Sequence, residues 1–286
     1  MINSKENIGI IFGALAFFLF ASSDVIQKYA TINHTIFQII FFRYLFLLII
    51  SIIESKRKQN VSFYKTKNIK IQLSRSVVSI IETTFFVLSF KYLSLATAHS
   101  VASLAPIFVV LLSMILLKEK VEKKLWIVIF TGFIGVIVIM RPGFEVFDVK
   151  SLLPLGAGFF FGLYQVITKK ASEYDSDETS LFFTSIFGLF IITFLAIFFW
   201  HPLTAISFLI LPIIGVMMTL AHYCLIIGLA RAPASKIQPF HFTLIFWAIF
   251  YGYIFYNDIP DTPTFIGAGI IALSGIFIIR SQSKIN

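Results

Sequence analysis

A single cysteine in 286 residues, Cys224, rules out a disulfide within the chain and a metal centre built on thiolates. Inside an apolar run, such a cysteine behaves as a small hydrophobe. Charge is scarce too. Asp, Glu, Lys and Arg make up 13% of the residues, where a soluble domain carries about 25%. No HExxH, GxSxG or Walker-type glycine loop is present, so metalloprotease, hydrolase and nucleotide-driven chemistry have no motif to rest on. The chain also has no room for a separate nucleotide-hydrolysing domain.

What fills the chain instead is apolar: 58% hydrophobic residues, a mean hydropathy of +0.92 and 35 phenylalanines. The Phe, Ile and Lys usage suits an AT-rich genome. These features read as an all-α integral membrane protein embedded in the lipid bilayer. The net charge of +9 does not imply nucleic acid as a partner. The cations sit in loops between apolar runs, where the positive-inside bias explains them.

A membrane-spanning helix needs about 20 apolar residues. Ten stretches qualify, at roughly 8–28, 35–54, 71–91, 96–117, 124–141, 151–169, 180–200, 207–229, 233–256 and 262–280. The first is expected to stay as a span rather than leave as a signal peptide, because its apolar run is too long and no convincing cleavage site follows. With the N-terminus inside, about seventeen Lys and Arg fall on the cytoplasmic side and about four outside. Both termini are then cytoplasmic.

The chain also resembles itself. Asp24–Ala30 matches Gln165–Ala171, and at the same offset Phe41-Phe42-Arg43 matches Phe182-Phe183-Thr184. Gly135–Ile139 matches Gly275–Ile279, and Glu119 answers to Asp258 at nearly that offset. Residues 8–141 and 151–280 therefore read as two five-helix repeats. Five is odd, so the two units insert in opposite senses. Inverted repeats with a midplane site between them are a transporter arrangement.

Ionisable residues within spans are functional candidates, because burying them in hydrocarbon is costly. Asp24 lies near the outer end of the first span, beside Ser22, Ser23 and Gln27, where water can reach it. Arg43 lies at similar depth in the second and can pair with it. Glu82 sits near the middle of the third, too deep to reach the interface. Its carboxylate suits a cationic substrate or a coupling proton, or else a structural pair with Arg43. Arg75, nearer the cytoplasmic end, reads as an anchor. The stretch 96–117 has small and polar residues first, Pro106 in the middle and a greasy end, so it is expected to line an interior. His99, Ser103 and Pro106 share one face. Counted from the helix ends, His99 corresponds to Gln238, with His241 three residues on. Tyr164, Gln165, His222 and Tyr223 complete the candidate substrate-binding set. No cofactor and no metal is expected; no metal-ligand spacing links His222 and His241.

Several of these residues also carry a resemblance. Leu73-x-Arg75, Phe90-Lys91-Tyr92-Leu93, Ala98, Pro106, Leu117-Lys118-Glu119, Gly132 and Gly135, with Phe42-Arg43-Tyr44, resemble the drug/metabolite transporter superfamily, specifically the EamA-type carriers. The second half departs from the pattern, with Ile245 where Pro106 would have its partner and Asp258 for the usual Glu. The resemblance implies a ten-helix secondary carrier of the bacterial inner membrane. Its substrate would be a small organic molecule, driven by protons or a counter-substrate, and the carrier a monomer or homodimer. Ser22-Ser23-Asp24-Val25 with Phe41-Phe42-Arg43 is similar to the S-adenosylmethionine uptake carriers of intracellular bacteria. An exporter of amino acids or drug-like compounds shares this architecture. A membrane receptor or intramembrane enzyme is the reading from another class.

Overall fold

A bilayer core offers no water to backbone N–H and C=O groups, so apolar runs of this length fold as α-helices. The computed structural model describes residues 4–59, 62–118, 123–141, 148–233, 237 and 240–282. Among these residues the regular structure is helical and no strand occurs. The helices are α1 (Ser4–Ala30), α2 (Ile36–Arg57), α3 (Ile69–Phe90), α4 (Leu95–Ala102), α5 (Ala105–Leu116), α6 (Lys123–Met140), α7 (Leu152–Ala171), α8 (Asp177–Phe198), α9 (Ser207–Arg231), α10 (Thr243–Tyr256) and α11 (Thr262–Gln282). Ile237, Phe240 and His241 are also helical, with a turn at Phe242 before α10.

Polar residues start the helices where the spans begin. Thr35 and Gln38 form a reciprocal capping box on α2, with Gln38 N donating to Thr35 Oγ1 at 3.3 Å. Asn68, Ser94 and Ser176 accept from the first turns of α3, α4 and α8. Asn257 ends α10 at φ 54°, the left-handed conformation that asparagine tolerates.

Among the described residues, seven helical stretches are long and apolar enough to cross a membrane, counting Leu95–Leu116 as one. Three shorter apolar helices accompany them: Phe130–Met140, Thr243–Tyr256 and Thr262–Ser274. The outward faces carry Ile11, Ile115, Phe130, Phe190, Phe194 and Phe208, all exposed and suited to lipid. The stretch 96–117, expected as one helix with a central proline, is two. Ser103 and Leu104 form a turn, and Pro106 sits in the first turn of α5. Proline is favoured there because its missing N–H has no partner to lose.

Helices pair between the first and second halves of the chain: α1 with α9, α2 with α8, α3 with α7 and α6 with α11. Where α1 meets α9, a Cβ on Gly9 would lie 3.0 Å from the Gly228 carbonyl oxygen. Such backbone contact holds helices together in lipid. The main apolar core gathers Phe17, Ile39, Ile40, Leu181, Leu211 and Ile214 from α1, α2, α8 and α9.

Arg75 is not an interfacial anchor. It is 0% exposed, and its Nη2 donates to the Ser180 carbonyl oxygen and to Thr184 Oγ1 at 2.5 Å, tying α3 to α8. Its neighbours on the buried face of α3, Gln72, Ser76 and Ser79, are polar as well. The guanidinium thus finds acceptors sideways, inside the bundle, instead of reaching along the helix toward water.

Candidate functional site

Where the helices converge they leave a cavity of about 50 Å³. That volume holds a few waters, so a metabolite enters only if the helices part. Most helices contribute two lining residues one turn apart: Phe20 and Asp24 from α1, Glu82 and Phe86 from α3, His99 and Ala102 from α4, Met218 and His222 from α9. Arg43 enters from α2, and Ala157, Gly158 and Phe161 from α7. His241 and Leu244 approach from either side of the turn at Phe242. The spacing is the 3.6-residue period of one helix face.

Each charged group in the cavity has defined partners. Asp24 Oδ1 accepts from Gln27 Nε2 at 2.6 Å, and Oδ2 lies 3.3 Å from His99 Nε2, both side chains being 2% exposed. Arg43 Nη2 donates to His222 Nε2 at 3.0 Å, while His222 Nδ1 donates to the Met218 carbonyl oxygen at 3.0 Å. Glu82 Oε2 accepts from Thr83 Oγ1 at 3.0 Å. Neither carboxylate comes within ion-pairing distance of Arg43. The expected Asp24–Arg43 pair is therefore replaced by two separate pairs, Asp24 with His99 and Arg43 with His222. Equal depth along two helices does not make two side chains face each other. Asp24 is also not at the water interface: it is buried, facing inward.

The cavity brings together Asp24, Arg43, Glu82, His99, His222 and His241 from the expected set. It does not include the others. Tyr164 and Gln165 are buried one turn beyond Phe161. The Tyr164 ring stands 5.9 Å from His222 and 5.9 Å from the Arg75 guanidinium carbon. Tyr223 faces away, its hydroxyl donating to Glu54 Oε1 at 3.1 Å. Gln238 and Glu119 lie outside the described residues. The sequence reading missed Phe20, Phe86, Phe161 and Met218. One-turn spacing from Asp24, Glu82 and His222 is the signal that points to three of them. Among the described residues no three His, Cys, Asp or Glu side chains gather in a way that could hold a metal ion.

A family model described as the EamA-like transporter family matches residues 7–141 and again residues 150–280. The chain belongs to the EamA-like transporter family. It is therefore a multi-pass membrane transporter of a small molecule and not an enzyme. Over 185 residues it is 34% identical to a riboflavin transporter of Vibrio cholerae, a stretch covering 63% of this chain and 61% of that one. Over 280 residues it is 24% identical to an S-adenosylmethionine uptake transporter of Rickettsia bellii, covering 97% and 95% of the two chains. A crystal structure of a protein 16% identical in sequence, covering 95% of this EamA-type chain and 98% of that one, has the same fold at a TM-score of 0.74.

Proposed function

We propose that this transporter carries S-adenosylmethionine, or a closely similar cationic amino-acid-like metabolite, into the bacterial cell across the inner membrane. The observation that carries the proposal is the charge of the cavity. Two carboxylates, Asp24 and Glu82, and one guanidinium, Arg43, line it. S-adenosylmethionine has the opposite balance, with a sulfonium and an ammonium against one carboxylate. Arg43 suits its carboxylate, Glu82 and Asp24 its two cations, and Phe20 and Phe86 add aromatic rings of the kind that attract positive charge.

In this proposal the two five-helix units, 8–141 and 151–280, insert in opposite senses with both termini in the cytoplasm, and they rock about the cavity in alternating access. The double match of the family model supports the repeat. So does the pairing of helices. Exchange of the two units turns the α1–α9 contact into the α7–α3 contact and leaves α2–α8 and α6–α11 as they are, and all four occur. The helix breaks at Ser103-Leu104 and at Phe242 border the cavity. Discontinuous helices near the midplane are where such carriers hold their substrates.

The stretch 34% identical to a riboflavin transporter favours a second reading, riboflavin uptake. Riboflavin is neutral and leaves the excess carboxylate without a counter-charge. The deciding experiment is uptake of radiolabelled S-adenosylmethionine by cells expressing the chain. Saturable uptake, competed by unlabelled S-adenosylmethionine and not by riboflavin, supports the proposal. Saturable riboflavin uptake alone favours the second reading. With neither, from an inserted protein, the uptake proposal fails, and efflux of amino acids or drug-like compounds from preloaded vesicles tests the exporter reading.

At the end assigned to the cytoplasm, Lys58 Nζ donates to Glu178 Oε1 at 2.7 Å and to Tyr223 Oη at 2.6 Å, linking α2 to α8 and α9. Burial pulls the Lys58 ammonium down, but these two hydrogen bonds outweigh it and hold its pKa above the ordinary lysine value. In this proposal inward opening breaks the link. In a chain whose Cys224 is replaced by serine, Lys58→Met is expected to speed cytoplasmic labelling of Ala157→Cys about five-fold, since a partly exposed charged network contributes roughly 1 kcal/mol. An unchanged labelling rate means the link is not a gate.

A further inference from the structure

His241 lines the cavity and is 3% exposed, yet its Nδ1 has no hydrogen-bond partner among the described residues. Leaving a buried polar atom bare is costly, and such an atom in a native fold calls for an explanation. Two phenylalanine rings pack against the His241 ring. Phe17 meets it edge-on, with centroids 5.1 Å apart and planes at 81°, and Phe161 lies along it at 5.6 Å and 37°. Phe161 in turn meets Phe20 at 6.0 Å and 90°. Phe20, Phe161 and His241 all border the cavity. The cavity thus has a charged part, set by Asp24, Glu82 and Arg43, and an aromatic part bordered by His241, whose Nδ1 is buried without a partner among the described residues.

We propose that the aromatic part is a slot for a heteroaromatic ring, bordered by the edge-to-face pair Phe20 and Phe161, with His241 Nδ1 hydrogen-bonding the edge of that ring. The proposal rests on the carrier reading above and narrows its substrate class to metabolites that join a hydrogen-bonding heterocycle to the rest of the molecule. A ring edge with both donors and acceptors satisfies either imidazole tautomer. An aliphatic amino acid of the same charge leaves Nδ1 bare. Sites built to hydrogen-bond a ligand discriminate strongly against analogues that lack the partner.

The test is equilibrium binding to the purified full-length protein with three probes: S-adenosylmethionine, riboflavin and S-methylmethionine. The last has the sulfonium amino-acid head and no ring. The wild type is expected to bind S-adenosylmethionine at least about ten-fold tighter than S-methylmethionine. His241→Phe is expected to erase that difference by weakening S-adenosylmethionine alone. His241→Asn, which keeps a hydrogen-bonding group and guards against a folding defect in the Phe variant, is expected to retain part of it. Equal binding of the two sulfonium compounds by the wild type, or full S-adenosylmethionine affinity in both variants, overturns the slot and leaves the carrier reading standing. Riboflavin binding that His241→Phe abolishes, with no sulfonium binding, supports the slot and overturns the S-adenosylmethionine reading. A folded wild type that binds none of the three overturns both.

Discussion

Glutamine at position 82 is expected to lower S-adenosylmethionine uptake about 100-fold while leaving membrane insertion unchanged. Glu82 is 9% exposed and lines the cavity. Its hydrogen bond comes from the neighbouring Thr83 hydroxyl, and no lysine or arginine pairs with it among the described residues. The carboxylate is therefore free to meet a cation in the cavity. Removing one partner of a buried, hydrogen-bonded charge pair costs about 2–5 kcal/mol, and about 1.4 kcal/mol is a factor of ten. Glutamine has the same shape and still accepts from Thr83, so the fold loses little. For a neutral substrate such as riboflavin the charge term vanishes, and the same substitution is expected to change uptake by less than about three-fold. Initial uptake rates at matched surface expression separate these outcomes. Undiminished S-adenosylmethionine uptake would take Glu82 out of substrate binding and leave Asp24 as the remaining carboxylate to test.

The polar groups of the cavity were legible in the sequence because a span leaves few neutral explanations for an ionisable residue. Asp24, Arg43, Glu82, His99, His222 and His241 all reach one space. Their partners were not legible. Sequence reports depth along a helix well and the facing between helices poorly, so Arg43 read as the partner of Asp24 when it hydrogen-bonds His222 on α9. Tyr223 shows the same limit: it follows His222 directly, and one step of about 100° around the helix turns it to Glu54 and Lys58. Arg75 looked interfacial because length and position suggest reaching for water. Its acceptors lie on α8, a helix more than a hundred residues later in the chain. The break between α4 and α5 was half visible, since Pro106 marked a disturbance; the turn at Ser103 and Leu104 that lets proline begin a new helix came from packing. The glycines of α7 left no trace in the reading, because the close approach that requires them is a property of two helices.

Those glycines carry the last large effect. Gly158 and Gly162 are four residues apart on α7, facing the break between α4 and α5. A Cβ on Gly158 would lie 2.9 Å from the Ala102 carbonyl oxygen, and one on Gly162 would lie 2.9 Å from Phe108 Cβ and 3.2 Å from the Ala105 carbonyl oxygen. These are backbone atoms or atoms tied closely to it, so a new side chain cannot be met by a rotamer change. Gly158→Val adds two methyl groups beyond that Cβ and forces α7 away from α4, the helix that carries His99 and Ala102 into the cavity. Overpacking a well-packed interior costs about 1–3 kcal/mol or more, and here it also splits the wall of the site. Gly158→Val is expected to lower the thermal midpoint of the detergent-purified protein by several degrees and to abolish uptake. Gly269→Ala is the control. Nothing lies within 4 Å of a Cβ at that position, and alanine favours a helix by up to about 1 kcal/mol, so stability and uptake are expected to hold or rise slightly. Normal stability and transport in Gly158→Val would mean that α7 does not seat against the helix break, and the cavity would then need a different wall on that side.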